Sequence, residues 1–176
     1  MNKEMNENEL LKIIGSGETS KVQFKRELGN QDKLAAEMIA FSNAKGGMVL
    51  FGVEDKTGKI IGLDYNAIQK VSNTVSTIAN ELVKPLIYIT TEVVNVDVQS
   101  GTQKILIVNI EEGISKPYKD KNGAIWIKQG SDKRRVTENT EIMRLFQQSG
   151  NLFVDEMIVA NTSISDINQE YVKEYD

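Results

Sequence analysis

The chain has 176 residues, 40% of them hydrophobic and 26% charged, the make-up of one globular domain. It contains no cysteine and no histidine, which excludes disulfides, Cys/His metal centres, thiol nucleophiles and imidazole acid–base chemistry. Any chemistry must come from carboxylates, lysines or hydroxyls. The net charge of −4, taken as an average, argues against a polyanionic partner.

Asn6 or Asn8 can cap a short helix with Leu10, Leu11, Ile13 and Ile14 on its apolar side and Gly15 as its stop. Residues 21–25 alternate, with Val22 and Phe24 on one face, which predicts a half-buried strand. Residues 31–44 read as a helix whose buried stripe is Leu34, Ala35, Met38, Ile39 and Ser42, with Gly46-Gly47 as its exit. Residues 47–53 are apolar on both faces, the mark of a central strand covered on both sides. Residues 55–58 turn into a short strand at 59–62. Residues 65–83 form a long amphipathic helix closed by Pro85.

Two β-rich stretches come next, at 86–98 and 104–110, joined by a loop at 99–102. Beyond the Lys116-Pro117-Tyr118 loop, residues 124–128 alternate as a strand with Trp126 opposite Ile125 and Ile127. A helix begins at Thr137 and ends at Gly150. A strand at 157–160 and a helix at 168–175 are expected in the remainder, where the pattern stops in mid-helix like the cut end of a longer protein. The expected fold is α+β, a mixed and mostly antiparallel sheet packed with helices, over 1–150. Residues 151–176 are expected to begin a further region. The start is polar without a signal-like apolar core, and the longest apolar run is far short of a bilayer span. A soluble cytoplasmic protein with no membrane partner is expected.

The distribution of charge tells more than its sum. Seven basic residues lie between Lys116 and Arg135 against Asp120 and Asp132, whereas from Val136 onward eight acids face two bases. An acidic tail can hide a basic face in the average. A P-loop is excluded: residues 15–22 read Gly-Ser-Gly-Glu-Thr-Ser-Lys-Val, lack the second glycine and the hydroxyl, and precede a strand instead of coming after one.

Four segments stand in a telling order: Glu18 to Lys25, Phe41-Ser42-Asn43-Ala44-Lys45-Gly46-Gly47, Phe51-Gly52-Val53-Glu54-Asp55, and Lys116-Pro117-Tyr118 with Ile127-Lys128-Gln129-Gly130-Ser131 after it. Together they resemble the Schlafen AlbA_2 domain, also called divergent AAA, over about residues 9–148. The 156–175 stretch resembles the segment after that domain in prokaryotic transcriptional-regulator or helicase-related proteins. The resemblance implies DNA or RNA binding. Physically this would use basic side chains against phosphates, with Lys21, Lys25, Arg26, Lys45, Lys128, Lys133, Arg134 and Arg135 as the candidate face. Gly46-Gly47 either lets amides approach a phosphate or simply stops a helix.

Vertebrate Schlafens of the same fold imply a metal-dependent RNase on three acids, which map here to Glu18, position 23, and Asp55 or Glu54. Position 23 is Gln, which removes one charge from any Mg²⁺ site. The expectation is therefore a binder without cofactor. The alternatives are a Mg²⁺-dependent nuclease using Glu18 and Asp55, or a dimerisation or protein-interaction domain, with a homodimer as the partner. Glu18, Gln23 and Asp55 are expected close together. Trp126 is expected in a core or interface more than under a stacked base, and Asn43 is expected on the turn backbone. Lys133, Arg134 and Arg135 are read as a loop whose reversal to Glu would abolish binding without unfolding, whereas reversal of Glu170 and Glu174 would not weaken it.

Overall fold

The computed structural model describes residues 5–150. The elements expected at 157–160 and 168–175, and Glu170 and Glu174, lie outside the described residues. The Asn6 side chain accepts the Glu9 amide at 2.9 Å while Glu9 accepts the Asn6 amide at 3.3 Å. This capping box starts α1 (Glu7–Gly15). The order then runs β1 (Val22–Lys25), α2 (Gln31–Asn43), β2 (Gly47–Phe51), α3 (Tyr65–Thr77), a single π-helical turn (Ile78–Leu82), β3 (Val83–Lys84), β4 (Ile89–Val98) and β5 (Gly101–Ile110). It closes with β6 (Lys119–Asp120), β7 (Ile125–Gln129), β8 (Asp132–Val136) and α4 (Asn139–Gln148).

Two four-stranded sheets result. The first has the order β1-β2-β5-β4, with β1 and β2 parallel and the other pairs antiparallel. The second has the order β3-β6-β7-β8 and is antiparallel throughout. The expected α+β class holds. So does the central place of β2: Val49, Leu50 and Phe51 are fully buried between neighbours on both sides. Leu10 and Ile14 of α1 cover one face of the first sheet with Val22, Phe24, Leu50, Ile105 and Ile107. Ile68, Val71 and Val75 of α3 and most of α2 cover the other, against Val49, Phe51, Leu106 and Val108.

The second sheet corrects the sequence reading of α2. The expectation was a one-sided stripe, yet every residue from Leu34 to Asn43 is buried. The reason is that β6, β7 and β8 lie across the side of α2 that the first sheet leaves open. Ala35, Ala36 and Ala40 make this close approach possible, because small side chains let a backbone come near. Other expectations are adjusted locally. The strand at 59–62 reduces to one bridge between Val53 and Ile60. The long helix leaves α geometry after Thr77 and is already extended at Val83, where β3 pairs with β6 and the residue before Pro85 is pushed out of helical torsions. Lys133, Arg134 and Arg135 are not a loop. They form β8, paired Ile127 to Arg134 and Lys128 to Lys133, and their charge hides a strand whose partners lie on both of its faces.

Asn43 ties the layers together. Its amide nitrogen donates to the carbonyls of Tyr118 (3.0 Å) and Trp126 (2.9 Å), and its oxygen accepts the Tyr118 amide at 2.7 Å. It bonds backbone, as expected, but that of β7 and the approach to β6 and not of its own turn. The glycine pair after it is steric. A Cβ on Gly47 would run into the Phe41 ring and come 2.7 Å from the Lys21 carbonyl, and Gly46, at φ +69°, would meet the Ile110 carbonyl at 2.7 Å. Asn43→Ala leaves two carbonyls and an amide unpartnered in a buried site, so it should lower unfolding stability by about 2–4 kcal/mol. Urea titration followed by Trp126 fluorescence checks this, and a loss under about 1 kcal/mol would show that β6 and β7 are held by other means.

Candidate functional site

Alternation along β7 and β8 sorts the basic run into two faces. Ile125, Ile127 and Val136 point one way, where they pack with Leu145 and Ile142 of α4. Lys128 and Lys133, directly paired across the hairpin, point the other way onto α2. There the Glu37 side chain, 4% exposed, receives both: Lys128 Nζ at 2.7 Å and Lys133 Nζ at 2.8 Å. The Lys128 ammonium, on a side chain only 2% exposed, also donates to the Ser131 carbonyl at 2.6 Å and to Gln23 Oε1 at 3.3 Å. It lies 4.7 Å from the centre of the Phe41 ring. All three of its hydrogens are thus used. Burial pushes the Glu37 carboxyl up, but the two lysines outweigh it and the net shift is downward.

A second carboxylate is shared in the same manner at the C-terminal end of α2. Lys116, almost fully buried, donates to the Ala44 carbonyl at 2.9 Å and to Glu112 at 2.8 Å. An ammonium at this helix C-terminus meets free carbonyls and the negative end of the dipole. Exposed Lys45 takes the same Glu112 oxygen at 3.1 Å. Hydrogen bonds from Lys116, then Lys45, hold the Glu112 carboxyl low. On the opposite face of β8, Arg134 forms a two-contact ion pair with Glu141 of α4, whose carboxyl Arg144 also helps to lower. Arg135 turns to the same side as Trp126. There the Asp120 carboxyl, raised by burial, is brought down by the Trp126 indole, the Ala124 and Asn122 amides and the Arg135 charge. Trp126 is packed against the main core with its indole nitrogen 3.0 Å from Asp120.

The residues at the end of β1 are paired one for one. Lys25 meets Asp55 at 3.4 Å and Arg26 meets Glu54 at 3.7 Å. Lys21, exposed, lines a groove with Lys45 but also with Glu9, Glu92 and Glu111. Glu18 and Asp55 do line one groove, and Gln23 stands beside Glu18, to which its amide nitrogen donates. Each carboxylate also holds a backbone amide. Glu18 accepts the Phe24 amide at 2.8 Å, and Asp55 accepts the Arg26 amide at 3.2 Å. Among the described residues no three acidic side chains gather as metal ligands would.

The eight candidate cations therefore do not form one patch. Lys128 and Lys133 converge on Glu37, Lys45 stands near Lys128 across a cavity, Arg134 faces away, and Lys25 and Arg26 sit apart. Glu37, Glu112 and Arg144 escaped the sequence reading, and Lys116 was read only as part of its loop and of the basic run. A signal existed for the first: one acid set in the apolar run Leu34-Ala35-Ala36-Glu37-Met38-Ile39 is a buried charge that needs a partner.

The family described as Schlafen, AlbA_2 matches residues 18–137. No curated protein matches the chain. Among 21 matching chains of solved structures is the crystal structure of the DIP2311 protein from Corynebacterium diphtheriae, similar at 21% identity with a TM-score of 0.54. That likeness covers 95% of this chain and 37% of the other, so it extends to the fold of one part of a longer protein. Among the described residues no helix is long and apolar enough to cross a membrane.

Glu37→Gln should cost about 3–5 kcal/mol at neutral pH, since it strands two lysines, one of them buried. A carboxyl held below its ordinary pKa contributes stability that is present above the ordinary carboxylate range and lost as pH falls through the lowered value. Unfolding midpoints taken from neutral into the acid range should therefore fall more steeply in the parent than in Glu37→Gln. Parallel curves would contradict the shared-carboxylate account.

Proposed function

Because the chain belongs to the Schlafen AlbA_2 family, we propose that it is a cytoplasmic nucleic-acid-binding module of regulatory type that grips the phosphate backbone with the face formed by α2's C-terminal end, the β7–β8 hairpin and α4. One observation carries this reading. Glu37 and Glu112 are each shared by two lysines, and Glu141 is paired with Arg134 while the Arg144 charge acts on it from nearby. Six basic groups thus gather around three carboxylates, with Glu111, Asp132 and Glu138 as exposed acids nearby, whereas Lys25 and Arg26 at the β1 end are paired one for one. Backbone amides and lysines read phosphate without regard to sequence, so the expected binding is largely sequence-indifferent.

Cleavage has less support. Gln23 is an amide already hydrogen-bonded at both ends, and the Glu18 and Asp55 oxygens hold backbone amides. The reversal of Lys133, Arg134 and Arg135 is also a poor test of binding, because it would set Glu against Glu37 and against Glu141 and unfold the hairpin.

The clean test uses Lys45, whose side chain is 76% exposed, and exposed Arg144. Replacing both by Gln, which sets no new acid against Glu112 or Glu141, should weaken binding of a labelled oligonucleotide on the order of tenfold or more at low salt. It should also flatten the log–log salt slope by about 0.7–0.9 for each lost phosphate contact. The same replacement of Lys25 and Arg26 should weaken it less. Fluorescence anisotropy across a salt series measures both. Unchanged affinity in the Lys45/Arg144 variant would remove this face from consideration and favour a protein-interaction domain.

A further inference from the structure

The same face contains a cavity of about 290 Å³ between α4, the β7–β8 hairpin and the end of α2. Its walls are Ile127, Val136 and Leu145, and its mouth carries Lys45, Arg144 and Gln148. Glu141, the acid on its lining, is already held by Arg134. The combination is specific in kind. Aliphatic walls favour a flat apolar body, two cations at the mouth favour an anion, and a glutamine amide can both donate to and accept from a polar edge. The volume lies near the lower limit for small-molecule pockets. A bare inorganic anion would leave the aliphatic walls wet, and a cation would face Lys45 and Arg144 at the mouth.

We infer that this cavity is a seat for one nucleotide: the base against Ile127, Val136 and Leu145, its edge toward Gln148, and its phosphate between Lys45 and Arg144. This deepens the nucleic-acid reading and rests on it. An unstacked base held between apolar side chains is how single nucleotides are taken from a strand. The same chemistry could come from a free mononucleotide or from the end of a strand.

Isothermal titration of the chain with adenosine and uridine 5′-monophosphate, and with inorganic phosphate as control, tests the seat. The mononucleotides should saturate and phosphate should not. Gln148→Trp, at an exposed position on the cavity mouth, and Arg144→Gln should each weaken mononucleotide binding by about tenfold or more while leaving the urea midpoint in place. A 5′-phosphorylated oligonucleotide that binds more tightly than its unphosphorylated twin, with the difference lost in Gln148→Trp, assigns the seat to a strand end. Equal binding of the twins beside saturable mononucleotide binding assigns it to the free nucleotide. If oligonucleotides bind but mononucleotides do not, and Gln148→Trp leaves oligonucleotide affinity unchanged, the seat is refuted while the backbone-binding face stands. If phosphate alone matches the mononucleotides, the walls take no part and the nucleotide class is wrong. If no nucleic acid binds at any salt concentration, both proposals fall together.

Discussion

Burial of α2 on every side is the constraint on which the rest depends. A helix that loses all contact with water needs apolar cover on two opposite faces, and here one sheet supplies each. It also cannot carry an unpaired charge, because an isolated ion in such a place is far too costly. Glu37 sits in the middle of that helix at 3% exposure, so the second sheet must arrive with cations. The β7–β8 hairpin does so, with Lys128 and Lys133 placed opposite each other by strand register. Its basic composition is thus first a packing requirement and only then a candidate binding surface.

The same arrangement sets the local balance of charge around α2. Exposed ion pairs of the Lys25–Asp55 kind contribute roughly 0–1 kcal/mol and cancel charge one for one. Carboxylates drawn inward are different, since a single buried acid can hold two ammonium groups through its two oxygens. Glu37 does this with both oxygens, and the more exposed Glu112 does it with one. Each such unit is stable and leaves one positive charge over. That local excess at each unit follows from structural demand, and it lies where α2 ends and the hairpin packs on it.

The two sheets differ just as sharply in how far the sequence discloses them. The first sheet was readable because its strands are rich in apolar residues, alternating in β1 and continuous in β2; β5 was found too, although it begins at Gly101, inside the loop expected at 99–102. The glycine pair, Asn43 and the Lys116-Pro117-Tyr118 loop were visible as a group, but their purpose was not. Asn43 bonds backbone more than seventy residues away, and no local pattern reveals such a partner. The second sheet was nearly invisible. Two of its strands have two residues each, too short for any period. The edge strand Asp132–Val136 reads as a solvated loop because its charged residues are satisfied by Glu37 and Glu141, of which the first is distant in sequence and the second lies on another element. Charge in a strand is ambiguous until the opposing element is known.

Position 23 shows how closely the site depends on that opposing element. Its side chain must donate to Glu18 and accept from Lys128 at once. A carboxylate can do only the second, since it has no proton to give at neutral pH. A glutamate here would place two like charges side by side at Glu18, which disfavours both ionised forms. It would also give Lys128 a second anion and so cancel the local excess of positive charge at the Glu37 unit. An amide satisfies both neighbours without charge. The residue that departs from an acidic metal site is thus the one that this lysine-centred network requires.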